Sequence, residues 1–548
     1  MTAREAMLAR LRARTVDVLV IGGGIVGAGI ARDAAMRGLS VALIERGDFA
    51  SGTSSKTSKL IHGGLRYLEH GRVRLVFESL RERHILRTVA PSMVTPLSLL
   101  LPVYRGDRRA PWMIHLGLWL YDLLATGRRI QPHRMLAARR ALAAEPALRA
   151  DGLRAAGLYA DCQMDDARLC LANILQAASL GAVCANYVRL RALLKARQVI
   201  CGALAENVLT GQAFEMHARC VVNATGPWAD GLRRLSQADA PVRLAPSKGI
   251  HLVVPRLAQE ALFVQRPADG RLLFILPWGE RTVVGTTETA VHPQSLDTLA
   301  ATADEVGYLV EAVNHVLPGA HLSPSDVIGT FAGARPLLAH AGQARTASRE
   351  HQIEVDDAGL LSVLGGKYTT YRLMAKQVVD LIVSRGRFRA DRCLTDQISL
   401  LETPQVGTGD YWHELARRVD PDLLARWLGT YGSGTIHLLQ LADHEPALAQ
   451  PLCPHHDVTC AELVHAMQRE MSCTITDVLA RRTRVAWSPC QGLDALSTVL
   501  ALMARYGSAT SAELAAQVKS YRAFCAQAVA CRAPSEPTTM PMHATTPR

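Results

Sequence analysis

Apolar runs of strand length alternate with helical patterns over the first 390 residues of the chain. Val16–Ile21 and Val41–Ile44 are two such runs, and an alanine-rich segment with helical character separates them. Further strands are predicted at 220–224, 251–254, 272–276, 282–284 and 360–363, and the clearest helices at 167–178 and 371–383. This mixture predicts an α/β fold with a mostly parallel sheet at its centre.

The first apolar run ends in the pattern G-x-G-x-x-G, formed by Gly22, Gly24 and Gly27. In a strand–turn–helix unit, these glycines permit the turn, let a pyrophosphate approach the backbone, and let the helix pack closely on the sheet. The second run is followed by Glu45, where an acid can bind a ribose hydroxyl. Because both strands and the acid are present, the pattern predicts a dinucleotide site rather than a glycine-rich turn without a ligand.

Three further loops suit the same site. An apolar strand ends in A-T-G-P-W at 224–228, and another ends in Gly365, Gly366 and Lys367 before two threonines that open a helix. Backbone N–H groups at that helix start would stabilise negative charge, such as that of a reduced flavin. The loop 53–67 is rich in hydroxyl groups and suits a segment that wraps a pyrophosphate. Taken alone, 224–228 could be an ordinary turn, the segment at 365–367 could be the start of a plain capped helix, and 53–67 could be a polar loop.

Charge and cysteine content narrow the possible partners. The 548 residues carry a net charge of +12, which favours a phosphorylated substrate, nucleic acid or anionic lipid. Aromatic residues make up 5% and the basic residues form no dense run, so a nucleic-acid surface is not expected.

The 12 cysteines form no C-x-x-C pair, and Cys453 with Cys460 lacks the partners of a zinc site. Reduced thiols and no bound metal are therefore expected.

Together, the motifs resemble FAD-dependent glycerol-3-phosphate dehydrogenase of the respiratory, quinone-reducing type. The matching segments are the glycine motif, S-K-L-I-H-G-G-L-R-Y-L-E (58–69), A-T-G-P-W (224–228), G-T-T-E (285–288), G-A-R-P-L (333–337) and G-G-K-Y-T-T-Y-R (365–372). The resemblance runs from about residue 16 to 383 and resumes at 474–484. This chain has Glu288 where the family often has Asp and Ala334 where it often has Val, and neither change removes a needed charge.

The resemblance implies a glutathione-reductase-like FAD-binding Rossmann fold with an inserted antiparallel substrate sheet and a C-terminal all-helical domain. The helical texture after residue 390, rich in Ala, Leu and Arg, agrees with the last of these. The expected divisions are an amphipathic extension (1–15), the FAD-binding domain (16–385) with its interleaved substrate part (about 70–160 and 240–330), the helical domain (390–532) and a disordered tail (533–548).

The implied reaction oxidises sn-glycerol 3-phosphate to dihydroxyacetone phosphate, with hydride transfer from C2 to N5 of FAD and electrons passed to ubiquinone. A base near neutral pH is most often histidine. His251 matches a histidine of the family's substrate sheet, and His62 in the flavin loop is the other candidate, although either could be structural. Arginine forks suit the phosphate dianion.

The site residues follow from these matches. The expected catalytic residues are His251, Arg335 and Lys367, and the expected substrate-binding residues are Arg66, Tyr67, Arg335 and, by a weaker match, Arg349. The expected cofactor-binding residues are Gly22, Gly24, Gly27, Glu45, Thr53, Ser54, Ser55, His62, Gly63, Gly64, Val188, Gly226, Gly366, Lys367 and Thr369. No metal ligand is expected.

Several alternatives remain open from the sequence. A soluble oxidase that reduces oxygen, or an amine oxidase of the glycine-oxidase type, would keep the same fold. The clustered arginines favour a phosphate over an amine. A flavin-containing RNA-binding protein is prompted by the charge of +12 but disfavoured by the spread of that charge. A nicotinamide dehydrogenase would leave the G-G-K-Y-T-T segment without a role.

Ubiquinone is lipid-soluble, so its reductase must reach a bilayer. No apolar stretch is long enough to span one, and no secretory signal is present. We therefore expect peripheral binding to the anionic cytoplasmic face of the inner membrane. A homodimer is expected as well. The candidate elements are 1–14 and 112–129, because both combine apolar and basic residues. For 112–125, a buried core helix is the alternative.

Overall fold

The computed structural model describes residues 3–12, 15–266, 268–339, 350–401 and 410–530. The described helices are α1 (Ala3–Leu11), α2 (Ile25–Met36), α3 (Val73–Val89), α4 (Pro111–Leu124), α5 (Ala138–Ala144), α6 (Asp166–Ser179), α7 (Ala229–Ser236), α8 (Ala303–Val316), α9 (Tyr371–Gly386), α10 (Asp410–Arg417), α11 (Pro421–Tyr431), α12 (Thr435–His444), α13 (Cys460–Arg469), α14 (Leu496–Tyr506) and α15 (Ser511–Val529).

The described strands are β1 (Val16–Ile21), β2 (Val41–Ile44), β3 (Leu60–Ile61), β4 (Val94–Tyr104), β5 (Arg134–Ala137), β6 (Leu153–Met164), β7 (Val183–Ala185), β8 (Val188–Ala196), β9 (Val199–Asn207), β10 (Ala213–Asn223), β11 (Ser247–Pro255), β12 (Ala261–Gln265), β13 (Leu272–Trp278), β14 (Arg281–Gly285), β15 (Thr289–Ala290), β16 (Gly329–Arg335), β17 (His351–Val355), β18 (Leu361–Gly365), β19 (Pro451–Cys453) and β20 (His456–Thr459). The strands predicted from apolar runs are all present.

The first sheet has the order β17-β18-β10-β1-β2-β7, and the five strands from β18 to β7 run parallel. The hairpin β8–β9 pairs with the beginning of β10, and β17 runs antiparallel at the other edge. Strands β1 and β2 are almost fully buried because helices cover this sheet. Small residues bring those helices close: a Cβ on Gly29 of α2 would lie 2.9 Å from the ring of Tyr371 at the start of α9.

The second sheet has the order β15-β11-β14-β13-β12-β4-β6-β3, with β16 beside β11 and β5 beside β6. Its strands run antiparallel except for the parallel pair β4 and β12. They come from 60–164 and 247–335, so this sheet is interleaved in sequence with the first, as the resemblance implied. Strand β11 lies between β14 and β16 and is buried along nearly its whole length, which places its side chains in the interior.

The C-terminal region is helical from α10 to α15, with one addition that the sequence did not predict. A hairpin, β19–β20, interrupts the helices. Its strands have three and four residues, which is too short for an alternating pattern to be recognised. The expectation of an all-helical region is corrected to this extent.

A buried ion pair joins the C-terminal region to the first sheet. Asp48, in the loop after β2, accepts hydrogen bonds from Arg481 Nε at 2.6 Å and Arg482 Nη1 at 2.8 Å. Burial alone would raise the pKa of Asp48, but Arg482 and Arg481 outweigh that effect and hold it at about 2. The nucleotide-binding loop and the helical region are therefore held together by charges that stay ionised at neutral pH.

The N-terminal helix α1 packs against the protein rather than projecting from it. Arg4 is buried and donates to Asn207 Oδ1 at 2.8 Å and to the Asn186 carbonyl at 3.1 Å. Leu11 is buried, and Met7 and Leu8 pack against the core of the first sheet. The apolar side chains expected to meet a membrane are thus used within the fold, which corrects that expectation. The expected disordered tail, 533–548, lies outside the described residues.

Candidate active site

A cavity of about 980 Å³ is lined by residues of both sheets, at the carboxyl ends of β1, β2, β10 and β18. The predicted site residues that line it are Gly22, Gly24, Glu45, Thr53, Ser54, His62, Tyr67, Val188, Gly226, His251, Arg335, Gly366, Lys367 and Thr369. Five other predicted residues are not among the described residues that line it: Gly27, Ser55, Gly63, Gly64 and Arg66. Arg349 lies outside the described residues.

The first glycine turn is too tight for side chains. Gly22 has φ +115°, and a Cβ there would lie 2.6 Å from the Ala224 carbonyl oxygen. A Cβ on Gly27 would lie 1.9 Å from the Gly22 carbonyl oxygen, so this glycine lets α2 pack at the sheet. The Ile25 N–H, at the start of α2, donates to Ser54 Oγ at 2.9 Å. Residues 24–26, at the positive end of α2, line the cavity, and this position fits a pyrophosphate.

Glu45 is held in a fixed orientation at the end of β2. Its Oε2 accepts from the Gly23 N–H at 2.7 Å, and its Oε1 accepts from the Gly47 N–H at 2.9 Å. Burial raises the pKa of Glu45, while these two hydrogen bonds oppose the rise. The Val188 N–H donates to the Glu45 carbonyl at 2.7 Å, which places Val188 beside the acid. This arrangement suits recognition of a ribose.

Some residues of the loop 53–67 line the cavity, and others pack against the rest of the protein. Thr53 Oγ1 donates to the Ala334 carbonyl at 2.6 Å, and the Ser55 carbonyl accepts from Lys59 Nζ at 2.8 Å. The Gly63 N–H donates to Tyr121 Oη at 2.9 Å, and a Cβ there would lie 2.4 Å from that oxygen. At Gly64, φ is +80°. Gly63 thus lies in a turn packed against α4, and Gly64 lies beside the ring of Tyr67. Contact of the two glycines with the cofactor stays a prediction.

The third turn brings Lys367 to the cavity at the start of a helical segment. Gly366 has φ +97°, and the helical turn Tyr368–Thr370 leads into α9. Lys367 Nζ lies 3.7 Å from the ring centre of Tyr67 and 3.5 Å from Ser79 Oγ. Thr369 Oγ1 accepts from the His62 N–H at 3.2 Å. Three segments distant in sequence, around residues 62, 79 and 367, therefore meet here.

His251 lies at the centre of β11 with 3% of its surface exposed. Its Nε2 lies 2.8 Å from Ser58 Oγ, and its ring stacks on Phe331 with centroids 4.9 Å apart. Nδ1 has no hydrogen-bond partner among the described residues. Burial, then the charges of Arg335 and Lys59, lower the pKa of His251 well below its usual value. The imidazole is therefore neutral near pH 7 and able to accept a proton.

Arg335 ends β16, next to β11. Its Nη2 donates to Thr286 Oγ1 at 2.8 Å and to the Thr287 carbonyl at 3.2 Å. A Cβ on Gly249 of β11 would lie 2.3 Å from the same nitrogen. The absence of a side chain at Gly249 therefore makes room for the guanidinium, two residues from His251 on the same strand.

Lys56 and Ser58 line the cavity but were not predicted as site residues. A Cβ on Gly333 would lie 3.0 Å from Lys56 Cβ, and Gly333 is two residues before Arg335 on β16. Burial lowers the pKa of Lys56 to about 8, and the charge of Arg481 acts in the same direction. Hydroxyl-rich loop composition was the one available signal for Ser58, and nothing in the sequence singled out Lys56.

A stacked pair at another part of the cavity wall was also missed. The guanidinium of Arg46 lies 4.5 Å from the ring centre of Trp228, and both residues line the cavity. Arg46 follows Glu45 directly in the sequence. The A-T-G-P-W motif could have pointed to Trp228, but its partner could not be inferred from spacing.

One cavity contains the glycine turns, the fixed carboxylate of Glu45, and His251 with Arg335 on neighbouring strands. This combination is typical of a dinucleotide-dependent oxidoreductase of the two-sheet flavoprotein class. Residues 17–381 match the family described as FAD dependent oxidoreductase, and residues 393–513 match the C-terminal domain of alpha-glycerophosphate oxidase. The chain belongs to the FAD-dependent glycerol-3-phosphate dehydrogenase family, and its cofactor is FAD. The resemblance noted from the motifs is thereby confirmed.

Individual relatives agree with this assignment. The chain is 34% identical over 497 residues to the aerobic glycerol-3-phosphate dehydrogenase of Bacillus subtilis (strain 168), covering 88% of this chain and 89% of that one. It is 35% identical over 538 residues to the mitochondrial glycerol-3-phosphate dehydrogenase of Homo sapiens, covering 92% and 72%. The structure of the glycerol-3-phosphate dehydrogenase from Bacillus halodurans complexed with FAD has a TM-score of 0.79 at 29% identity, covering 98% and 99%.

Proposed function

We propose that this protein oxidises sn-glycerol 3-phosphate to dihydroxyacetone phosphate and passes the electrons to ubiquinone at a membrane surface. The observation that carries the proposal is the placement of His251, Arg335 and Lys367 around one cavity that also contains the glycine turns. A base and two cations beside a flavin site match the needs of a phosphorylated secondary alcohol.

Bound FAD supplies a hydride acceptor at N5, and the chain's own residues supply the proton acceptor. Because Nδ1 of His251 is enclosed, we assign the proton transfer to Nε2, which meets the Ser58 hydroxyl at 2.8 Å. The Ser58 O–H would donate to Nε2 in the resting site and hold the ring ready. Stacking on Phe331 fixes the plane of the imidazole. Gly22, Gly24, Glu45 and Gly366 would hold the cofactor.

The substrate phosphate would bind to Arg335 with help from Lys367. The Thr286 hydroxyl and the Thr287 carbonyl orient the guanidinium, so its planar fork is preorganised. Arg66 and Arg349 remain proposed contributors from their positions in the family motifs. Tyr67, whose ring meets the Lys367 ammonium, would set the position of that cation.

The decisive experiment is anaerobic addition of glycerol 3-phosphate to the purified yellow protein. Bleaching of the flavin absorption band would support both cofactor and substrate. Glycerol, which lacks the phosphate, and glycine, which tests the amine-oxidase alternative, should leave the band unchanged. Bleaching by glycine but not by glycerol 3-phosphate would overturn the proposal. Reoxidation of the bleached protein by oxygen as fast as by a ubiquinone analogue would favour the soluble oxidase.

Lys56 should make the KM for glycerol 3-phosphate depend on pH. Its pKa of about 8 means that it is charged below that pH and neutral above it. We expect KM for the anionic substrate to rise as the pH passes through about 8, measured by steady-state kinetics between about pH 7 and 9. Lys56→Met should remove this change, and Lys56→Arg should move it beyond the measured range. Identical profiles for wild type and Lys56→Met would contradict this role.

A surface on α4 supports peripheral membrane binding. Trp112, Met113, Leu116, Trp119 and Leu123 are between 45% and 67% exposed, whereas Ile114, Leu118 and Tyr121 on the opposite side are buried. One side of α4 is therefore buried in the core, as expected for a core helix. The other side is an exposed apolar surface, as expected for a membrane-binding element. Arg128 and Arg129 follow it and could meet anionic lipid. No helix within the described part of the chain is both long and apolar enough to cross a bilayer.

Liposome flotation tests this surface. Trp112→Gln with Trp119→Gln should strongly reduce flotation with vesicles of anionic lipid, because two large apolar side chains no longer enter the interface. The matched control carries Leu180→Gln and Val199→Gln, which are 45% and 56% exposed on other elements. Binding should weaken in high salt. Equal flotation of both double variants would show that another surface binds the membrane.

We also expect a homodimer, which sedimentation analysis of the detergent-free protein can check.

A further inference from the structure

A group of thiol and carboxyl side chains lies in the C-terminal region, away from the cavity. Cys453 ends β19, and Cys490 and Asp494 lie in the loop before α14. The two Sγ atoms are 3.3 Å apart, and Cys453 Sγ lies 3.6 Å from Asp494 Oδ1. One donor atom from each of the three residues lies within 4.8 Å of the others. His455 Nε2 lies 3.8 Å from Asp494 Oδ2.

Both sulfurs sit in the same kind of turn. The His455 N–H donates to Cys453 Sγ at 3.4 Å, and the Gly492 N–H donates to Cys490 Sγ at 3.4 Å. Gly492 has φ +69°, which lets its N–H turn back towards the sulfur two residues earlier. Ser488 Oγ lies 3.2 Å from Cys490 Sγ. Hydrogen bonds of this kind stabilise thiolates and orient them as ligands.

A divalent ion between these groups would be bound by the deprotonated thiols. Arg281 lies close enough for its charge to act on both thiols, and it would balance the excess negative charge of two thiolates and a carboxylate around such an ion.

We propose that Cys453, Cys490 and Asp494 bind a zinc ion, with His455 as the fourth ligand. Two thiolates, an imidazole and a carboxylate form a donor set that zinc accepts in tetrahedral geometry. With Zn–S distances of about 2.3 Å, tetrahedral sulfurs are about 3.8 Å apart, a small opening from the present distance. A disulfide would instead require the sulfurs to close to about 2.0 Å.

The site would be structural, and it would hold a loop that reaches the active site. Within that loop, Trp487 meets Phe331 edge-on at 5.5 Å, and Gln491 Nε2 donates to the Ile328 carbonyl at 3.3 Å. Phe331 in turn stacks on His251. A metal that joins the hairpin β19–β20 to this loop would fix its position against the second sheet.

Native mass spectrometry of the full-length FAD-bound protein, purified with reductant and exchanged into zinc-containing buffer, tests the proposal. Wild type should retain about one zinc ion per chain, and Cys490→Ser should lose it. Asp494→Asn, which changes an exposed side chain, should bind zinc at least about tenfold more weakly. Cys460→Ser, a nearby cysteine outside the group, is the matched control and should retain the ion. FAD content reports correct folding of each variant.

Two results would overturn the zinc site. One is the absence of retained zinc in correctly folded, reduced wild-type protein. The other is a peptide in which Cys453 and Cys490 form a disulfide in protein isolated without oxidant. Neither result depends on the substrate, so the zinc proposal and the proposed oxidation of glycerol 3-phosphate fail or survive separately.

Discussion

Replacing His251 by asparagine is expected to slow flavin reduction by glycerol 3-phosphate by roughly 10²–10⁴-fold, the usual contribution of a general base. The amide retains a polar group near Ser58 but cannot take up the C2 hydroxyl proton. Because burial and nearby cations keep the pKa of His251 low, the wild-type imidazole is already in its accepting form at neutral pH. Anaerobic stopped-flow absorbance in a single turnover measures the rate directly.

His62→Asn is the matched control for this result, since His62 also lines the cavity and was the other candidate base. We expect its rate of flavin reduction to stay within about a factor of ten of wild type, because a positioned base accounts for more than that. A large loss in His62→Asn with normal rates in His251→Asn would exchange the two roles. An effect of His251→Asn confined to KM would assign it to binding.

Arg335→Lys is expected to raise KM for glycerol 3-phosphate by about 10–100-fold while FAD content remains normal. The lysine keeps a positive charge but loses the two-pronged donor geometry, and hydrogen bonds to charged groups contribute about 1.5–3 kcal/mol. Steady-state kinetics with a ubiquinone analogue gives KM, and the protein-to-flavin absorbance ratio gives FAD content.

The control for this substitution is Arg271→Lys. Arg271 pairs with Glu288 on the surface, and it is not among the described residues that line the cavity. Its KM should not change. If Arg335→Lys also leaves KM unchanged, the guanidinium has a structural role with Thr286, and the phosphate binds elsewhere, with Arg66 as the next candidate.

Much of the cavity lining was predictable, because many of its residues belong to short sequence motifs. Gly22, Gly24 and Glu45 are specified by the strand–turn–helix unit around them, and all three line the cavity. Lys367 was found in the same way from its turn. Contact of Gly63 and Gly64 with the cofactor stays a prediction, and the structure adds that Tyr121, from a distant helix, lies beside Gly63.

Residues whose partners lie far along the chain could not be predicted. Ser58 is a site residue because its hydroxyl contacts His251. Lys56 lies beside Gly333, and the charge of Arg481 helps to lower its pKa. Helix α4 illustrates a different limit: it is apolar on two sides, so a periodic pattern cannot tell which side faces the core. Cys453 likewise lies 3.3 Å from Cys490, a neighbour that the spacing of the cysteines did not indicate.

The order of strands in the first sheet sets a sequence of events during protein synthesis. Strands β1 and β2 leave the ribosome first, but their partner β10 is complete only at Asn223 and β18 only at Gly365. The turns that follow these later strands supply Gly226 and Gly366 to the cofactor cavity. The nascent chain can therefore complete the wall of this cavity only after about two thirds of the 548 residues have been made, with the helical region following last.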